Sequence, residues 1–301
     1  MQQFLRFLIS HSLKVWNVSG ALALASLFYA MAGLAVLKTV DDSRQEVVLY
    51  AAAKKVVSLA PHLTEVLFDL GVQDTLVGTS RYSDYPEAAK HIDIIADAFQ
   101  INVEAVIARQ PDLILAWSSG GDSRALLRLE QLGFPVYRNE ARKLADIGST
   151  FVRLGTLFDL KDRGLALQTR FSRQLQRVKR QYADHKLRRV YLQISERQLY
   201  SINDHHLIGQ ALQLCHATNI FGKEAMMVAP VSKESVLARK PDVLIISSSQ
   251  RGFSESLRIW GQFQQFRDKI RYVDSGKLSR PSLRMLDGIK DLCRQIHRSG
   301  G

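Results

Sequence analysis

The chain has 301 residues, with 41 basic against 29 acidic side chains and a formal net charge of +12. Its 46% hydrophobic and 23% charged content excludes a disordered tail protein, and two cysteines exclude a zinc ribbon or a disulfide-dense mini-scaffold. At about 150 residues per domain the length points to two domains, and a mean hydropathy of −0.08 with one long apolar run excludes a multi-span membrane protein.

That run, Val18–Leu37, carries no charge and follows Arg6 and Lys14, the pattern of an export signal. Small-x-small sites lie at Ala30-Met31-Ala32 and Ala51-Ala52-Ala53; an uncleaved anchor is the alternative, and no cysteine sits behind the run to carry a lipid. Residues 1–53 are therefore expected to be an export signal or anchor plus spacer, with the remainder exported.

From Lys54 onward short β-branched runs alternate with amphipathic stretches. Strands are expected at Lys55–Leu59, Thr75–Gly78, Asp112–Trp117, Val136–Arg138, Arg189–Ile194, Asp242–Ser247 and Arg271–Val273. Helices fall between them: one opened by Pro61 and closed by Gly71, then Asn102–Arg109, Arg124–Leu132, Ser232–Arg239 and Ser282–His297. Alternation of this kind predicts parallel sheets covered on both faces. Val103–Trp117 (VEAVIARQPDLILAW) and Lys233–Ser247 (KESVLARKPDVLIIS) share six of fifteen positions, each a helix, a Pro-Asp turn and a strand. A period near 130 residues is too long for a solenoid.

The fold class is thus α/β, two Rossmann-like lobes joined by one long rigid helix. The lobes are expected at 54–159 and 188–298. The helix at 160–187 carries Phe171, Leu175, Val178 and Tyr182 at helical spacing, so a single apolar stripe lies along both lobes. The surplus arginines are dispersed on this helix without a nucleic-acid motif, which reads as a solvated face. Such lobes enclose a cleft, the usual place for a ligand.

Neither a nucleophile elbow, a P-loop, a dinucleotide fingerprint nor a His-Glu-x-x-His is present, so neither an enzyme nor a catalytic cofactor is expected. A metal site or enzyme using His62, His91, His205 and His206 is the rival from another class. Tyr82 and Tyr85 follow one predicted strand and Trp117 ends another, so these rings sit at strand carboxyl ends, where open α/β sheets bind ligands. Glu104 and Glu234 hold equivalent positions in the repeat. They serve either the helix N-termini or a pseudo-symmetric pair that docks on arginines. Cys215 and Cys293, in an oxidising compartment, either bridge or stay as two buried thiols.

The strings Val56–Leu59 with Pro61 and Thr64-Glu65, Tyr82-Ser83-Asp84-Tyr85-Pro86, Pro111-Asp112-Leu113 with Ala116-Trp117, and Cys215 with Asn219-Ile220-Phe221 resemble the periplasmic cobalamin-binding proteins of vitamin B12 ABC importers. So do Val231-Ser232 with Glu234 and the stretch from Arg284 through Cys293. The resemblance covers Lys54 to His297. It implies capture of a corrinoid between the lobes and delivery to an inner-membrane ABC permease, by a protein that is a monomer when free. By the same resemblance Tyr82 and Trp117 contact the corrin, Glu104 and Glu234 dock on permease arginines, and Cys215 pairs with Cys293. In one place the pattern departs: an Asp-Trp-Phe-x-Arg string is replaced by Gly276-Lys277-Leu278-Ser279-Arg280, and Phe99 stands near a lost tryptophan. A siderophore or haem ligand is the alternative within the class, favoured by Lys277, Arg280 and the positive charge.

Overall fold

The computed structural model describes residues 36–97, 100–195 and 198–298. The expected signal segment through Ala35 and Phe99 lie outside them.

The first lobe holds a five-stranded parallel sheet in the order β5-β4-β3-β6-β7, formed by β3 (Val56–Ser58), β4 (Leu76–Ser80), β5 (Ile94–Ala96), β6 (Leu113–Trp117) and β7 (Val136–Asn139). The second holds β10-β8-β12-β13, also parallel, from β8 (Arg188–Gln193), β10 (Ala217–Asn219), β12 (Val243–Ser248) and β13 (Ile270–Asp274). The repeat falls on matching units: α2 (Val103–Ala108) leads into β6, and α7 (Lys233–Arg239) leads into β12. Asn102 and Ser232 cap them, their side chains accepting from the amides of Ala105 and Ser235. The helix that Pro61 opens, α1 (Pro61–Leu70), stops at Gly71 with φ 73°, where a left-handed residue releases the chain.

The stretch expected as a spacer contains a hairpin of the first lobe. β1 (Leu37–Val40) and β2 (Glu46–Leu49) pair antiparallel, and Val47 and Leu49 are buried in the core. Asp41 Oδ1 accepts the amides of Ser43 and Gln45 to make the turn. Asp42 Oδ2 accepts from Asn139 Nδ2 and the Glu140 amide, and its other oxygen meets Arg153 Nη1 at 2.7 Å. The Ala51–Ala53 site therefore lies inside folded structure, with the Ala53 amide bonded to Leu157 O.

The lobes are joined by α5 (Lys161–Tyr182). It packs antiparallel on α4 (Leu144–Leu157) so closely that a Cβ on Gly164 would strike the carbonyl oxygen of Phe151. Phe171, Val178 and Tyr182 are buried in one apolar cluster that also holds Leu63 and Phe151 of the first lobe and Val190 and Ile245 of the second. The predicted stripe is therefore a shared core. In the second lobe α6 (Leu207–Leu214) ends at Cys215, which is disulfide-bonded to Cys293 in the terminal helix α10 (Met285–His297); their Cα atoms are 4.8 Å apart.

Candidate functional site

Three exposed rings leave the first lobe at the carboxyl ends of its strands. Tyr82 and Tyr85 follow β4 and are 65% and 44% exposed; Trp117 ends β6 and is 46% exposed. Rings of this size left in water at strand carboxyl ends are the informative exception to burial. The loop that carries the tyrosines is fixed from beneath. Ser83 is buried, and its hydroxyl lies 3.2 Å from Thr64 Oγ1 and 3.4 Å from Ser80 Oγ; Thr64 in turn donates to Ser58. Tyr82 itself adopts φ 69°, which turns the chain sharply. The Trp117 ring lies over its own turn, because a Cβ on Gly120 would overlap it. Its edge meets His62 at 6.4 Å between ring centroids. His62 bonds Asn139 Oδ1 through Nε2 at 2.9 Å, and burial pulls its pKa down to about 4, so the ring is neutral at pH 7.

The second lobe contributes the segment 276–284, and here the structure corrects part of the sequence reading. Leu278, expected at the ligand, is fully buried in the shared core and closes the short helix α9 (Ser275–Leu278). The Gly276 amide donates to Asp274 Oδ1 and Ser279 Oγ to Ser275 O, so both serve the local turn. Lys277 is exposed. Arg280 is turned toward the first lobe: its Nη1 lies 3.0 Å from Glu65 Oε1 and 2.7 Å from Asp84 Oδ1. Burial opposes its charge, but the bonds to Asp84 and Glu65 keep its pKa above the ordinary value.

Glu65, Asp84, Ser282 and Arg284 complete a cluster that the sequence reading did not assign. Glu65 is 2% exposed and also receives Arg284 Nη1 at 3.2 Å and the Ser282 hydroxyl on its second oxygen. Arg284 caps the Tyr85 ring with its guanidinium carbon 3.9 Å from the centroid. One turn further along α1, Asp69 accepts the Leu283 amide at 3.2 Å; burial raises its pKa to about 7. The sequence carries a signal for it: His62, Glu65 and Asp69 recur at i, i+3 and i+7, a polar stripe on a helix that is mostly buried, His62 and Glu65 included. A second tie between lobes runs from Gln210 of α6, which donates to Arg142 O at 2.7 Å and accepts the Leu144 amide at 3.2 Å.

Glu104 and Glu234 are exposed in the first turns of α2 and α7. Glu104 meets Arg128 at 3.7 Å. Glu234 is held below the usual carboxylate range by its own backbone amide and by Ser232. Of the histidines of the metal reading, His62 and His206 are engaged otherwise. His206 accepts the Ile208 amide as the cap of α6, and among the described residues no group of three or more His, Cys, Asp or Glu is placed to hold a metal ion.

The profile of the periplasmic binding protein family matches residues 56–267. The vitamin B12-binding protein of Vibrio cholerae serotype O1 is 31% identical over 246 residues, covering 81% of this chain and 89% of that protein. The vitamin B12-binding protein of Yersinia pestis (strain Pestoides F) is 31% identical over 245 residues, with 81% and 87% covered. The crystal structure of the periplasmic vitamin B12 binding protein of Vibrio cholerae superposes with a TM-score of 0.73 at 30% identity, covering 81% of this chain and 96% of that one. A periplasmic heme binding protein from Pseudomonas aeruginosa shares the fold at 22% identity, with a TM-score of 0.74 over 83% of this chain and 94% of that one.

Proposed function

As the chain belongs to the periplasmic binding protein family, we propose that it captures cobalamin or a related corrinoid between its lobes and passes it to an inner-membrane ABC importer. The carrying observation is that three exposed rings, Tyr82, Tyr85 and Trp117, stand at strand carboxyl ends of the first lobe, while the two arginines that reach that lobe from the second, Arg280 and Arg284, are already paired with carboxylates. Arg280 and Arg284 face Glu65 and Asp84, two cations against two carboxylates. A ligand with paired carboxylates, such as haem, meets no free guanidinium in this cluster, and drawing one out would leave Glu65 buried and uncompensated. Cyanocobalamin, a large macrocycle without net charge and with amides around its rim, asks for ring contact and neutral hydrogen bonds and for no free guanidinium. The resemblance of the chain to the two vitamin B12-binding proteins supports the same ligand, and the exposed Glu104 and Glu234, equivalent in the repeat, suit two arginine pockets on a permease.

Calorimetric titration of the 36–301 chain with cyanocobalamin and, separately, with haem tests the reading. Expected are one-to-one cyanocobalamin binding at micromolar Kd or tighter and haem binding at least tenfold weaker, with Trp117→Ala and Tyr82→Ala each weakening cyanocobalamin by about tenfold, the worth of one stacked ring. Tighter haem binding, or unchanged affinity in both variants, refutes it.

A further inference from the structure

The Glu65 cluster is costly to keep and poorly explained by stability. A carboxylate at 2% exposure has been taken out of water in the middle of a helix, and buried ion pairs seldom repay their desolvation. What such a pair does supply is one preferred arrangement of the groups it joins. All three groups that meet Glu65 (Arg280, Ser282 and Arg284) come from a five-residue segment of the other lobe. The same two arginines then grip the aromatic loop. Arg280 holds Asp84 and Arg284 covers Tyr85, so the neighbours of Tyr82 and Ser83 are clamped from above while the Ser83 hydroxyl holds them from below.

We propose that Glu65 is a positioning residue: through Arg280 and Arg284 it sets the separation of the lobes and presents the Tyr82–Tyr85 loop to the ligand. Arg280, which the sequence places at the ligand, acts through Glu65 and Asp84 in this arrangement. The inference rests on the corrinoid reading for its effect on affinity, but its effect on the lobes does not.

The test has two readouts. Spin labels on Leu127→Cys and Met226→Cys, exposed sites on the first and second lobes, report the interlobe distance by pulsed EPR without any ligand. Glu65→Gln, which keeps size and one hydrogen-bond acceptor, is expected to broaden a narrow distribution, and Arg280→Gln to broaden it likewise. In cyanocobalamin titrations each single variant is expected to lose about tenfold in affinity, and the double variant no more than either single, the non-additivity of residues that act as a unit. An unchanged distance distribution in both folded variants overturns the proposal. So do additive affinity losses, which would make Arg280 an independent ligand contact. Should the parent protein fail to bind cyanocobalamin while the variants broaden the distribution, the corrinoid reading falls and the positioning role stands.

Discussion

The disulfide offers a magnitude that follows from topology. Cys215 and Cys293 are separated by 78 positions, and closing a loop of that length removes about 15 cal/mol/K of entropy from the unfolded chain, or about 4.5 kcal/mol at 25 °C. Both cysteines belong to the second lobe, so the loss is expected there, while the first lobe, whose sheet and hairpin make no use of the bridge, should hold. The consequence reaches the cleft as well. Cys293 lies in α10, and α10 follows directly on the 280–284 segment that grips Glu65. Guanidinium denaturation of the oxidised protein against Cys215→Ala/Cys293→Ala, followed by tryptophan fluorescence, measures the difference; Trp260 is buried in the second lobe and Trp117 reports on the first. A separate, earlier second-lobe transition in the variant is the expected result. A stability difference below about 1 kcal/mol refutes the chain-entropy reasoning, since removing two buried sulfurs would already cost that much in packing.

Charge reversal of Glu104 and Glu234 together is expected to leave ligand affinity within twofold, because both are exposed, and to abolish uptake in proteoliposomes holding the cognate importer; retained uptake removes the docking role. Asp69 predicts a pH dependence of definite sign. Its folded pKa, about 7, stands above the ordinary 3.8, so its stabilising contribution is complete below pH 4 and is lost as pH rises through 7. Asp69→Asn, whose amide oxygen can still accept from Leu283, should therefore raise Tm by several degrees at pH 8 and leave it unchanged at pH 4 in calorimetric scans. An equal effect at both values refutes the assignment.

The elements that the sequence revealed are those whose signals are local. Pro61 and Gly71 bracket α1, the Pro-Asp repeat marks α2–β6 and α7–β12, and the glycine-poor 160–187 stretch reads as a rod. The β1–β2 hairpin escaped because its strands are four residues long and its identity comes from Asp41 and Asp42 reaching residues nearly a hundred positions away. Helix α4 escaped for a related reason. Gly148 and Gly155 weaken its local propensity, and they are present because α5 approaches there; a Cβ on Gly155 would lie 2.8 Å from Leu160 O. In the candidate site the rings were legible from their place after strands. Leu278 was misplaced because a loop aligned to a ligand-touching string need not turn the same side chains inward. The clue to Glu65 lies in its helix, where His62, Glu65 and Asp69 recur on one face although the first two are buried.

The cross-lobe ties also explain why the cluster at Glu65 matters more than its free energy suggests. Helix α5 shares its core with both lobes and restrains them along its own axis. Gln210 adds a second tie at the start of α4, and two attachments still leave rotation about the line that joins them. The Glu65 cluster attaches through a third element, α1, and opposes that rotation. If the rings hold the ligand as proposed, an intact cluster presents them in one geometry, and part of the ordering cost of binding is met in advance by folding. Under the positioning proposal, breaking it leaves α5, the Gln210 tie and the Asp69–Leu283 bond to hold the lobes, and the rings are expected to be presented in a wider range of geometries.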